Sequence, residues 1–158
     1  MARPWKIRGL DIDRDAASCA RTVLLSKFKE MFSYKNDVMR DGGVDAIHDM
    51  RVSARRFQTF LVLFRSFLSR KRYKYIRRVF SDLIRRLGRV RTHDVFLAMI
   101  LGAKGMPREE RAVMRGAVLP RQRKKRSFEY RRLVRLLRRL ESDAVERTCI
   151  SFLNEVGE

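Results

Sequence analysis

Residues that break regular structure are scarce in this chain. Its 158 residues include three prolines and eight glycines, and nearly all of them fall where a helix would begin, end or bend. Strand-like alternation is convincing nowhere. Cysteine is as rare: Cys19 and Cys149 sit among apolar helical positions without CxxC spacing, which argues against a redox or zinc motif and makes buried, reduced thiols the expectation. The two histidines, His48 and His93, are too few for a metal site. His93, beside Asp94, is expected to cap or brace a turn. There is no nucleophile–base pair, glycine-rich phosphate loop or carboxylate cluster, so no enzymatic activity and no cofactor are expected. The longest uncharged apolar stretch, residues 95–103, falls well short of the roughly 20 residues a membrane span needs. No apolar run near the N-terminus resembles a signal peptide. A soluble, cytoplasmic protein without a membrane partner is the expectation.

Acid is the other shortage. Against 38 lysines and arginines stand 18 aspartates and glutamates, a net charge of +20. Such a charge opposes a compact monomer by self-repulsion and concentrates polyanions at the surface, so an acidic partner is implied. With 45% hydrophobic residues the chain can still bury a core, and its length fits one domain over residues 1–158.

Apolar residues recur at helical spacing along the chain. A first segment, residues 13–40, carries Ala20, Leu24, Phe28 and Met31 and ends at Gly42 and Gly43. A second, 44–68, places Met50, Phe57, Leu61, Phe64 and Leu68 opposite a polar face. In a third, 70–87, Ile76, Val79, Phe80, Leu83 and Leu87 point inward, while Lys74, Arg77, Arg78 and Arg85 lie outside or flank them. Gly88 reads as its C-terminal cap. Thr92 reads as the N-cap of a short fourth helix with Val95, Phe96, Met99 and Ile100. Pro107, Glu109 and Glu110 mark another helix start, which Pro120 should kink or interrupt. Residues 121–140 are again amphipathic: Tyr130, Leu133, Val134, Leu137 and Leu140 form one stripe, and Arg131, Arg132, Arg135, Arg138 and Arg139 another. A short final helix over 145–156 adds Cys149, Phe152 and Leu153. The fold expected is all-α, an antiparallel bundle of long amphipathic helices with basic faces and short loops.

The most informative stretch is residues 48–56, His-Asp-Met-Arg-Val-Ser-Ala-Arg-Arg. At about 100° per residue, His48, Arg51 and Arg55 fall within roughly 60° of one another on a helix. A single basic row is as easily a solvated face. Recurrence of such rows on the second, third and fifth long segments favours an assembled cationic surface. Arginine suits phosphate, because its planar fork of donors binds oxygens in pairs and keeps its charge.

The segments 47–64, IHDMRVSARRFQTFLVLF, and 87–95, LGRVRTHDV, resemble the conserved-histidine α-helical domain family, CHAD. Residues 5–10 and 127–137 are similar in placement. The resemblance implies a helical bundle that binds inorganic polyphosphate through a basic channel or groove, and association with polyphosphate granules would follow. It puts His48, Arg51, Arg55 and Arg56 on phosphates with Arg91 in support, and makes Asp94 a residue that orients basic neighbours. Lys74, Arg77, Arg78 and Arg85 extend the candidate surface, and His93 supports it. The pattern departs from the family at Gln58, where a basic residue is usual, and at Thr92, where an aspartate is. Family members with two bundles carry the His-and-Arg helix twice, whereas it occurs once here. Two copies pairing as a homodimer would rebuild that architecture. The competing readings are a nucleic-acid module, since RNA binders share the electrostatic footprint, and an adaptor that docks an acidic protein through the arginines of 121–126 and 131–139. Aromatic placement separates the first of these: Phe57, Phe64, Phe80 and Tyr130 are assigned to the core, whereas Tyr73 and Tyr75 could be exposed to stack bases.

Overall fold

In the computed structural model, which describes residues 3–7, 15–103, 105–142 and 144–157, Asp15 caps the first helix, α1 (Ala16–Ser33). Its carboxylate accepts from the Ser18 hydroxyl at 2.6 Å and the Ser18 N–H at 2.9 Å. Those bonds hold its carboxyl below the ordinary aspartate range. The expected start at Asp13 and the expected likeness over residues 8–10 lie outside the described residues.

The first expected segment is divided in two. Ser33 Oγ donates to the Glu30 carbonyl at 2.8 Å, and the Tyr34 N–H turns to the Phe32 carbonyl instead of continuing the helix. The chain tightens at Tyr34 and resumes as α2 (Lys35–Arg40). Gly42 then turns the chain at φ 60°, where an added Cβ would stand 2.3 Å from Tyr130 Cε2. Only glycine suits both that conformation and that contact. The next helix, α3 (Val44–Leu63), ends before residue 68, and a 3-10 turn, Arg65–Phe67, follows it.

The largest departure from expectation is α4 (Arg70–Gly102), one helix of 33 residues where two were expected. Gly88 does not cap it and Thr92 does not start a new one. The Thr92 hydroxyl donates to the Gly88 carbonyl at 3.0 Å inside the continuous helix. A mid-helix glycine costs only about 1 kcal/mol. Burial of Leu83, Leu87 and Val90 on either side of it outweighs that, since each large aliphatic side chain contributes roughly 1.5–3 kcal/mol. Val95 and Met99, however, are exposed, so the end of α4 runs past the core.

Pro107 precedes α5 (Arg108–Val113), with Glu109 and Glu110 in the first turn. The effect expected of Pro120 takes the form of a π-helical turn, Met114–Val118, after which α6 (Leu119–Ser142) begins. A widened turn absorbs the hydrogen bond that proline cannot donate. The last helix, α7 (Val145–Asn154), stops two residues short of the expected end.

Phe28 of α1, Phe57 of α3 and Phe80 of α4 meet edge to face, with ring centroids 5.0–5.7 Å apart. Around them α4 packs against α3 on one flank and α6 on the other, α1 packs against α3, and α7 touches both α1 and α6. The fold is all-α, with no strand among the described residues. No described helix is long and apolar enough to cross a membrane. Phe64 and Tyr130, assigned to the core, are half-buried.

Both cysteines are unbridged. Cys19 is half-buried rather than buried. Cys149 is buried, and burial, with Glu146 nearby, pushes its thiol up to about 12. Because the thiolate is the reactive form, Cys149 should resist a thiol reagent at pH 8 until denaturant unfolds the bundle. Rapid modification in the folded state would mean that α7 detaches readily.

Candidate functional site

The charged side chains around α4 fall into two clefts and one buried cluster. Between α3 and α4, His48, Arg51, Arg91, Thr92 and Val95 line a cleft of about 310 Å3 together with Gly88. A Cβ added at Gly88 would lie 4.0 Å from Arg51 Nε, an ordinary contact distance, so Arg51 lies against α4 at this point of the helix. His48 Nδ1 is buried without a hydrogen-bond partner. Sequence elements 40 residues apart are thereby joined, and the motif histidine and its first arginine do meet Arg91.

The rest of the row separates. Arg55 is exposed and is not part of that cleft. Arg56 turns the other way, its Nη1 donating to Glu30 Oε1 at 3.2 Å. Glu30 is fully buried and also accepts from Lys27 Nζ at 2.7 Å and from the Trp5 N–H at 3.3 Å. Asp94 is buried and holds Arg126, whose Nε donates to Oδ1 at 2.5 Å. The same guanidinium donates to the Gly42 carbonyl at 2.6 Å. It thus ties α4, α6 and the turn before α3 together. His93 is no turn residue: it lies within α4, with Nδ1 3.0 Å from Gln122 Oε1 of α6.

On the opposite flank, α4 and α6 run antiparallel, and the groove between them is the more basic of the two. Arg78, Asp82, Arg85 and Arg86 of α4 face Arg132, Arg135, Leu136 and Arg139 of α6 across adjoining cavities of about 680 and 200 Å3. Asp82 is the only acid among the described residues lining these cavities, with Glu129 beside them 3.6 Å from Arg132. Asp82 accepts from Arg85 at 2.5 Å and from Arg86 at 3.2 Å. Burial alone would raise its pKa, but those two hydrogen bonds hold it below the ordinary range. It therefore stays charged and splays the two guanidinium groups. Lys74 and Arg77 are exposed outside this groove, Arg77 lying 6.0 Å from the Tyr73 ring.

Arg86, Arg132, Arg135 and Arg139 were not singled out as site residues from sequence. The signal was there: Arg132, Arg135, Leu136 and Arg139 stand at i, i+3, i+4 and i+7, one helical face. Nothing in that spacing says that the face meets α4. Sequence reasoning also overlooked Phe128, which is 50% exposed. Tyr75, expected to be open to solvent, is 36% exposed, with its ring edge-on to Phe152 at 5.6 Å.

Fold and site together define a class: an all-α bundle whose central helix carries a cationic cleft on each flank. The CHAD domain family model matches residues 22–155, and the chain belongs to that family. The family is known in general for binding polyphosphate, as a non-catalytic module. No curated protein and no solved structure matches the chain.

Proposed function

We propose that this chain binds inorganic polyphosphate without catalysing its turnover, the polymer lying along the α4/α6 groove with the His48 cleft as a second point of contact. One observation carries this reading: six arginines line that groove and only two carboxylates among the described residues touch them, Asp82, engaged by Arg85 and Arg86, and Glu129, 3.6 Å from Arg132. Repeated bidentate donors suit a repeated anion. In the other cleft, His48, Arg51 and Arg91 supply further donors, and Arg55 stands exposed outside it.

Binding of a polymeric anion releases counterions. With about six phosphates neutralised, affinity for long-chain polyphosphate should fall by roughly 10²–10³-fold between 50 and 200 mM salt. An affinity independent of salt would overturn the proposal. A cytoplasmic location beside polyphosphate stores would follow from this ligand.

A homodimer fits the same reading. Val95, Met99, Leu101 and Val113 are exposed at the end of α4 and on α5, an apolar area that a second copy could cover. Each copy carries +20, so pairing should strengthen when a polyanion neutralises both. Light scattering at micromolar protein should show the mass of two chains once polyphosphate is added; the mass of one chain under those conditions counts against pairing.

The second reading, single-stranded RNA, is favoured by exposed rings: Tyr75, and above all Phe128, half-exposed beside Arg121, Lys124 and Lys125. Failure of long-chain polyphosphate to displace RNA at equal phosphate concentration would prefer it.

A further inference from the structure

The α4/α6 groove changes character near His93. There His93, Arg121, Lys124, Lys125, Phe128 and Glu129 line a cavity of about 420 Å3 whose wall is largely apolar. Elsewhere the groove is a run of arginines; here it has a ring. Phe128 is half-exposed, and one turn along α6 Arg132 Cζ lies 5.4 Å from its ring centroid. The cation sits over one side of the ring, within the range of a cation–π contact. One and two turns in the other direction along the same helix face stand Lys124, Lys125 and Arg121.

Glu129 is the one carboxylate among the described residues lining the cavity, and two arginines offset its charge: Arg132 Nη1 is 3.6 Å from Oε1, and Arg89 Nη1 is 3.8 Å from Oε2. Oε2 is buried without a hydrogen-bond partner. A phosphate has no flat apolar face to lay on the exposed Phe128 ring, whereas a neutral heterocycle has. Its flat face can stack on Phe128, an interaction open to any base.

We infer that this end of the groove is a subsite for the base of a nucleoside 5′-triphosphate, stacked on Phe128, with its phosphates on Arg121, Lys124 and Lys125. The inference rests on the reading that the basic groove holds phosphate, and it extends the ligand class from inorganic to nucleoside polyphosphates.

The test compares ATP with inorganic tripolyphosphate, which offers the same three phosphates and no base, by calorimetry. Stacking at an exposed site should make ATP bind about tenfold tighter than tripolyphosphate. Phe128→Ala should erase that advantage, leave tripolyphosphate and long-chain polyphosphate affinities unchanged, and keep the helical circular dichroism. Phe128→Tyr should restore it. Equal affinity of the two ligands for the wild-type chain would overturn the inference, as would an advantage that survives Phe128→Ala. A Phe128-dependent gain seen with a single-stranded RNA oligomer and not with ATP would also overturn it. The two readings fail separately: loss of long-chain polyphosphate binding with the ATP advantage intact sinks only the earlier one.

Discussion

Removing Arg135 and Arg139 together, as R135A/R139A, should weaken long-chain polyphosphate binding about 100-fold, whereas R131A/R138A should weaken it less than about threefold, because a lost charge-assisted hydrogen bond costs roughly 1.5–3 kcal/mol and a lost solvated charge far less. The two variants remove the same charge from the same helix. They differ in direction: Arg135 and Arg139 line the groove against α4, while Arg131 and Arg138 are exposed on α6 outside its lining. The groove pair should also flatten the dependence of log affinity on log salt by about 1.4, two contacts at roughly 0.7 each. Equal losses in the two variants would mean that net charge, and not the groove, attracts the polymer.

This contrast marks what the sequence could and could not show. Amphipathic periodicity was enough for the bundle: Met50, Phe57 and Leu61, then Ile76, Phe80 and Leu83, then Leu133 and Leu137, are buried as their spacing requires. Punctuation was less reliable. Gly88 carries the local mark of a helix end, yet it lies inside α4. The helix continues because the core on both sides of the glycine is contiguous, a fact that no window of sequence contains. The site was legible to the same degree. His48 and Arg51 share a face and meet Arg91, which helical geometry together with the second motif made readable. The division of arginines between ligand-facing and structural positions was not readable, because it depends on partners far along the chain. Arg126 is fixed by Asp94, 32 positions away, and Arg56 by Glu30, 26 positions away.

Glu30→Ala should therefore be the most damaging single change, lowering stability by about 3–5 kcal/mol, the cost of stripping one partner from a buried ion pair. At roughly 2–4 °C per kcal/mol for a domain of this size, the midpoint of thermal unfolding should drop by about 6–20 °C. Lys27 is 4% exposed, and its Nζ would retain only the Trp5 carbonyl, at 3.1 Å. Arg56, 30% exposed at its side chain, can turn toward water and should suffer less. The double variant Lys27→Met/Glu30→Leu removes both buried charges and should recover most of the loss, since apolar replacements of a buried pair are often neutral. If Glu30→Ala melted within 2 °C of the wild type, about the shift for 1 kcal/mol or less, the cluster would not be the buried anchor its geometry describes. Arg56→Ala then divides the two roles open to that arginine. With its guanidinium on Glu30, the change should cost stability and reduce polyphosphate affinity less than Arg51→Ala does. A loss of affinity matching that of Arg51→Ala would place Arg56 on the ligand and make Glu30 the residue that aims it.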